Sequence, residues 1–127
     1  KPGKHGFHIH EKADFSKGCA SAGPHYNPFG QAHAGPEDVQ RHVGDLGNLR
    51  ANRKGVARGK MVDKMVKLFG EYTVVGRSIM VHADKDDLGR GPRQGWPDVP
   101  APPAPTQHTK TTGNAGGRIG CGVIQLV

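Results

Sequence analysis

The sequence is poor in the residues that build large apolar interiors. Of its 127 residues, 34% are hydrophobic and 6% aromatic, with a single tryptophan. That composition excludes a helical bundle or coiled coil, which would be rich in Ala, Leu, Glu and Lys. No apolar run approaches the roughly 18 residues of a membrane span, so no membrane contact is expected. Cysteine is confined to Cys19 and Cys121. They are too far apart for a Cys-x-x-Cys zinc or redox motif, and read either as one long-range disulfide or as two buried thiols. There is no nucleic-acid module signature, so no nucleic-acid partner is expected, and no run of five or six basic residues supports an acidic-polysaccharide partner. Acidic side chains are also short, 11 against 18 basic, for a net charge of +7. Such a balance fits either an anionic partner or a plain basic surface.

Glycine (20), proline (10) and histidine (8) are what the chain has in quantity. The length fits one domain, residues 1–127, and is enough to bury a core without a dense disulfide framework. Gly and Pro favour turns, which suits a loop-rich β protein or a partly disordered chain, and the strand-like segments below favour an all-β domain with two long loops. Residues 4–11 alternate, placing Phe7 and Ile9 on one face of a strand and His8 and His10 on the other. Residues 12–44 have no sustained period and read as a long loop. Loops beyond about 12–15 residues inside a compact domain are usually functional or disordered, and a metal is one means of ordering this one. Residues 45–51 read as a turn entering a strand, and Asn52 to Gly55 as a hairpin turn. Val56 to Asp63, Met65 to Phe69, Arg77 to Ala83 and Arg118 to Val127 read as further strands. Residues 84–117 form a second long loop, whose Pro92–Pro105 stretch holds most of the prolines and looks extended.

The histidines carry the chemistry. His8 and His10 share a strand face; His25, His33 and His42 lie in the first loop, followed by Asp45; His82 ends a later strand. A single histidine is usually a surface or core residue. A His-x-His pair joined by several others and one carboxylate suits zinc or copper rather than calcium or magnesium. His5 and His108 have no such placement.

Four segments then converge on one family. Gly6-Phe7-His8-Ile9-His10-Glu11, Gly23-Pro24-His25-Tyr26-Asn27-Pro28, His42-Val43-Gly44-Asp45-Leu46-Gly47-Asn48, and Gly113-Asn114-Ala115-Gly116-Gly117-Arg118 with Cys121-Gly122-Val123-Ile124 resemble the copper/zinc superoxide dismutases in order and spacing. The resemblance covers nearly the whole chain. It implies an immunoglobulin-like Greek-key β-sandwich or barrel with two long functional loops. It implies a superoxide dismutase that turns superoxide into dioxygen and hydrogen peroxide by copper redox cycling, with a structural zinc. It assigns copper to His8, His10, His25 and His82, and zinc to His25, His33, His42 and Asp45, with His25 bridging the two. Asp86 would link a copper histidine to a zinc histidine. Arg118 would sit beside the copper and attract the superoxide anion, and Cys19 and Cys121 would form the family's intrasubunit disulfide.

The chain also departs from the family pattern. About three strands that normally precede the Gly-Phe-His segment are missing, so the barrel is expected to be incomplete at its N-terminus and the chain a piece of a longer product. Residues 92–105 carry a Pro-rich insert with Trp96, an altered channel mouth or partner contact if not a tolerated surface insertion. Lys12-Ala13 replaces the apolar residue and glycine that face a twofold partner, which weakens the family's homodimer. The alternatives to an enzyme are a copper-chaperone-like domain, a non-catalytic metal-binding relative or an inactive fragment; His82 and Arg118 favour the enzyme. Localisation stays open between cytoplasmic and extracellular, because this family keeps its disulfide even in the cytosol.

Overall fold

The computed structural model describes residues 1–90 and 107–127, so the Pro-rich insert and Trp96 lie outside the described residues. The regular elements are β1 (Gly3–His10), β2 (Ser16–Cys19), a 3-10 turn (Ala20–Ala22), β3 (Asp45–Ala51), β4 (Ser78–His82), α1 (Gln107–Thr112) and β5 (Arg118–Val123). The class is all-β, as expected. Among the described residues, none of the helices is long and apolar enough to cross a membrane.

Four strands form one antiparallel sheet in the order β3-β1-β4-β5. Its centre is the His-x-His strand. The register sets His8 opposite Asp45 on one side and Met80 on the other, and His82 opposite Arg118. A further bridge joins His10 to His25. Two of the three ladders are irregular at a site histidine, between Gly6 and His8 and between Val81 and His82. Bulges of this kind bend a strand and re-aim its side chains, and they recur beside active sites.

The core is small: Ile9, Tyr26, Val43, Leu46 and Val74, with Phe7, Met65, Val66 and Ile124 against it. Arg77 covers the Tyr26 ring, its guanidinium carbon 3.8 Å from the ring centre. The same guanidinium donates to the carbonyls of Thr73 and Glu11, so a cation–π contact also ties the core to the end of β1.

The long first loop is fastened to β1 by a closed ring of three backbone hydrogen bonds. Ile9 N–H donates to Gly44 O (2.9 Å), Gly44 N–H to Tyr26 O (3.0 Å), and Tyr26 N–H to Ile9 O (2.8 Å). This ring draws His10, His25 and His42 toward one point. A Cβ at position 44 would run into Ile9 O, so the approach requires glycine.

Three expectations fail, the first because residues 12–44, read as a long loop, contain β2 and the 3-10 turn. The strands expected over 56–63 and 65–69 do not form; only the single bridges Ala51–Ala57 and Lys67–Thr73 occur there. Neither segment alternates along its length, and a strand also needs a partner along its length; among the described residues only those single bridges supply one. Val62 and Phe69 are consequently 86% and 75% exposed. The second loop, expected without regular structure, contains α1. Its six residues show no helical apolar period. The helix is held instead by Thr112 Oγ1 donating to His108 O and by Thr109 Oγ1 donating to Asp87, and Gly113 at φ +67° ends it.

Candidate metal centre

Each histidine of the expected set is buried, and each has one ring nitrogen fixed by an acceptor. His8 Nε2–H donates to Asp86 Oδ2 at 2.6 Å. His10 Nδ1–H donates to Gly23 O at 2.7 Å and His82 Nδ1–H to Gly116 O at 3.1 Å. Such partners set the tautomer, so the other nitrogen presents a lone pair. The lone pairs left over point at one another. His10 Nε2 lies 3.4 Å from His82 Nε2. His8 Nδ1 and His25 Nε2 are buried without a hydrogen-bond partner. Leaving such atoms unsatisfied is costly, and two facing lone pairs repel. A cation held by all four removes both problems, and the four donors converge as a candidate metal group. Four imidazoles suit copper.

A second group surrounds Asp45, whose carboxylate is wholly buried. Its Oδ1 lies 3.0, 2.8 and 3.1 Å from Nδ1 of His25, His33 and His42. Its Oδ2 accepts from the amides of Ala34 and His42. Three nitrogens and one carboxylate oxygen are a tetrahedral zinc set. One group of donors within 4.8 Å of one another contains His8, His25, His33 and Asp45. His8, however, already spends Nε2 on Asp86. His42 Nδ1 is within 3.4 Å of His25 Nδ1 as well as beside Asp45, which makes His42 the better fourth member. His25 contributes Nδ1 to this group and Nε2 to the other. The residues present therefore fit both metals.

Asp86 joins the two groups. Its Oδ2 takes His8 Nε2–H, and its Oδ1 takes His33 Nε2–H at 2.7 Å and the Leu88 amide. Gly113 packs so closely that a Cβ there would strike the Asp86 carboxylate. Sequence reasoning missed the residue that fixes Asp86: Asn48 accepts from the Asp86 amide (2.8 Å) and donates to its carbonyl (3.0 Å). It also set His5 aside, yet the buried His5 bonds the His82 carbonyl through Nδ1 at 2.9 Å. Buried Arg41 was missed too; it ties the Asp45 carbonyl to Asp63. These contacts span 38, 77 and 22 residues, and no local pattern announces them.

The electrostatics separate the histidines. Burial, with the His25 and Arg118 charges adding, pushes His10 down to about 2. Burial likewise takes His25 to about 3 against the pull of Asp45, and His82 to about 4. These rings are neutral at pH 7, as metal ligation requires. His33 moves the other way, up to about 9, because Asp45 and Asp86 outweigh its burial. Asp45 and Asp86 sit below the usual carboxylate range despite burial, through their histidine hydrogen bonds.

Cys19 and Cys121 form a disulfide, which settles the alternative of free thiols. Beside it, Arg118 donates to the carbonyls of Cys19 and Ala20 at 3.0 and 3.2 Å and of Gly23 at 2.8 Å. Gly23 O is also the acceptor that orients His10, so the guanidinium is anchored next to the four-imidazole group. Compared with known protein families, residues 1–124 match the model described as copper/zinc superoxide dismutase.

Proposed function

This chain belongs to the copper/zinc superoxide dismutase family, and from that premise we propose that it is a superoxide dismutase working at the four-imidazole pocket. The observation that carries the reading is the pair of buried unpartnered nitrogens, His8 Nδ1 and His25 Nε2, beside an anchored arginine. His8, His10, His25 and His82 would hold copper, and His25, His33, His42 and Asp45 would hold zinc. Copper, changing oxidation state, would accept an electron from one superoxide and give it to the next, yielding dioxygen and, with two protons, hydrogen peroxide, while zinc has no redox role.

The chain's own residues supply the rest. Arg118 keeps its charge at any working pH and offers a fork of donors to a small anion. At about 4 Å and an effective dielectric near 20 such a pair is worth roughly 4 kcal/mol. Its anchoring by three carbonyls holds that charge in place rather than leaving it to swing in solvent. His25 is the candidate proton carrier: Nε2 has no competing partner, and Asp45 steadies the ring from Nδ1. Asp86 holds His8 and His33 in register, so the two metal groups keep a common geometry.

The test is the dismutation rate per bound copper on chain loaded with copper and zinc. A fast rate that falls to background in His82→Ala, with zinc content retained, supports the reading. A negligible rate with copper fully bound overturns it.

A further inference from the structure

One segment that carries no metal ligand leaves its apolar side chains in solvent. Val62 and Phe69 are 86% and 75% exposed, and Leu68 and Tyr72 are exposed as well. A ring with three quarters of its surface in solvent projects from the molecule. The backbone holds it there. Val74 N–H donates to Lys67 O at 2.8 Å and Thr73 N–H to Gly70 O at 3.2 Å, and Thr73 Oγ1 donates to Leu68 O at 2.8 Å. These bonds close a turn with Phe69 and Gly70 near its tip, Gly70 at φ +89°. The Tyr72 ring stacks on the exposed Phe29, with centroids 4.7 Å apart. The tip is thereby fastened to the first loop beside the metal groups. Asn27 and Gly30, on either side of Phe29 in the chain, wall the cavity that reaches His25 and His42.

Cations are interleaved with these apolar groups. Lys60, Lys64 and Lys67 are exposed. Among the described residues, Asp63 pairs with Arg41 and Asp38 with Arg90, so neither neutralises these lysines. Lys67 Nζ donates only to a carbonyl, that of Lys64. Glu71 is the remaining acid of the segment, one against three.

We propose that the apolar tip around Phe69, with Lys60, Lys64 and Lys67, docks on the surface of an anionic lipid bilayer. The expectation of no membrane contact rests on the lack of a spanning run, and crossing is not what this surface needs. A few apolar side chains at headgroup depth, with cations facing acidic headgroups, are enough for reversible attachment. Aromatic rings settle at that depth. Patches of exposed apolar groups rimmed by polar ones mark protein or membrane contacts, and two features favour the membrane. A second copy of the chain would set these lysines against its own. A projecting ring needs a matching pocket in a folded partner, whereas a bilayer yields to it.

The experiment co-sediments metal-loaded chain with vesicles of mixed phosphatidylserine and phosphatidylcholine and, in parallel, of phosphatidylcholine alone. The mixed vesicles should bind about tenfold more tightly or better, and salt should weaken them. Val62→Ser with Phe69→Ser leaves the charge unchanged and should weaken binding about tenfold or more. Phe69→Trp should keep the affinity or raise it. Lys64→Gln with Lys67→Gln should cost about tenfold on the mixed vesicles, and Lys17→Gln with Lys85→Gln, the same change in net charge elsewhere, should cost much less. Circular dichroism reports whether each variant is folded; if the double serine variant is not, Phe69→Ser alone gives a smaller loss of the same kind. Native affinity in the serine variant would overturn the proposal, as would equal losses in the two lysine pairs. So would absence of vesicle binding together with a dimer, seen by sedimentation equilibrium, that the serine substitutions abolish, since the tip would then belong to a second copy.

Discussion

The pocket around Asp45 and Asp86 and the stretch from 53 to 72 are built in opposite ways. The first buries polar groups and connects nearly all of them. Asp45 is touched by three imidazoles and two amides, and Asp86 by two imidazoles and two amide groups of its neighbourhood. The second exposes apolar side chains, Val62 and Phe69 among them, and is held by turns. Its order comes from Asp63 capping the amides of Met65 and Val66 and from Thr73 bonding Leu68 O. Dense polar networks specify one arrangement because each member fails without the others; a chain held by separate turns tolerates change at most positions. The candidate metal groups sit in the specified part.

Substitutions should therefore be felt very differently in the two regions. The largest stability effect is expected for Gly44→Ala, because the new methyl meets Ile9 O at the backbone ring. A loss of about 3 kcal/mol in urea unfolding is expected, and a loss under 0.5 kcal/mol would show that the loop yields and the pocket is softer than its bonding implies. Asp86→Asn keeps the volume but removes the charge that orients His8 and His33. Metal affinity or dismutation rate should fall about 10- to 100-fold, and an unchanged value would mean the two groups are independent.

Acidification sharpens the comparison further. His10, His25 and His82 have folded values of about 2, 3 and 4, below the ordinary 6.5. Their neutral burial stabilises metal-free protein fully above pH 6.5, and the benefit is lost as pH falls from there toward those values. His33, raised to about 9, contributes below pH 6.5 and loses its contribution as pH rises through 9. Metal-free chain should thus be less stable at pH 5 than at pH 7 in urea titrations. A flat profile would mean the three rings are not desolvated. At the other end of the scale, Val62→Thr should change stability by no more than about 0.5 kcal/mol; a larger loss would place Val62 in a packed interface.

The sequence made the first strand legible because a period of two is local: Phe7 and Ile9 face the core side while His8 and His10 are buried in the pocket. It made the histidine set legible through likeness to a family, since the spacing of His25, His33 and His42 follows no periodic rule. Asn48, His5 and Arg41 were not legible, because what each does depends on a carbonyl or carboxylate brought near by folding. The strands expected over 56–69 failed for the converse reason. The β-branched and apolar residues there suit a strand, but pairing is not a local property.

The ring of bonds among Ile9, Tyr26 and Gly44 has a dynamic consequence. In hydrogen-exchange terms its three amides belong to one opening unit. Solvent reaches any one of them only when the first strand and the segments carrying His25 and His42 part from one another. The ligand nitrogens on those segments are then separated in the same event, so the lifetime of a loaded site is bounded by how often a few backbone amides open together.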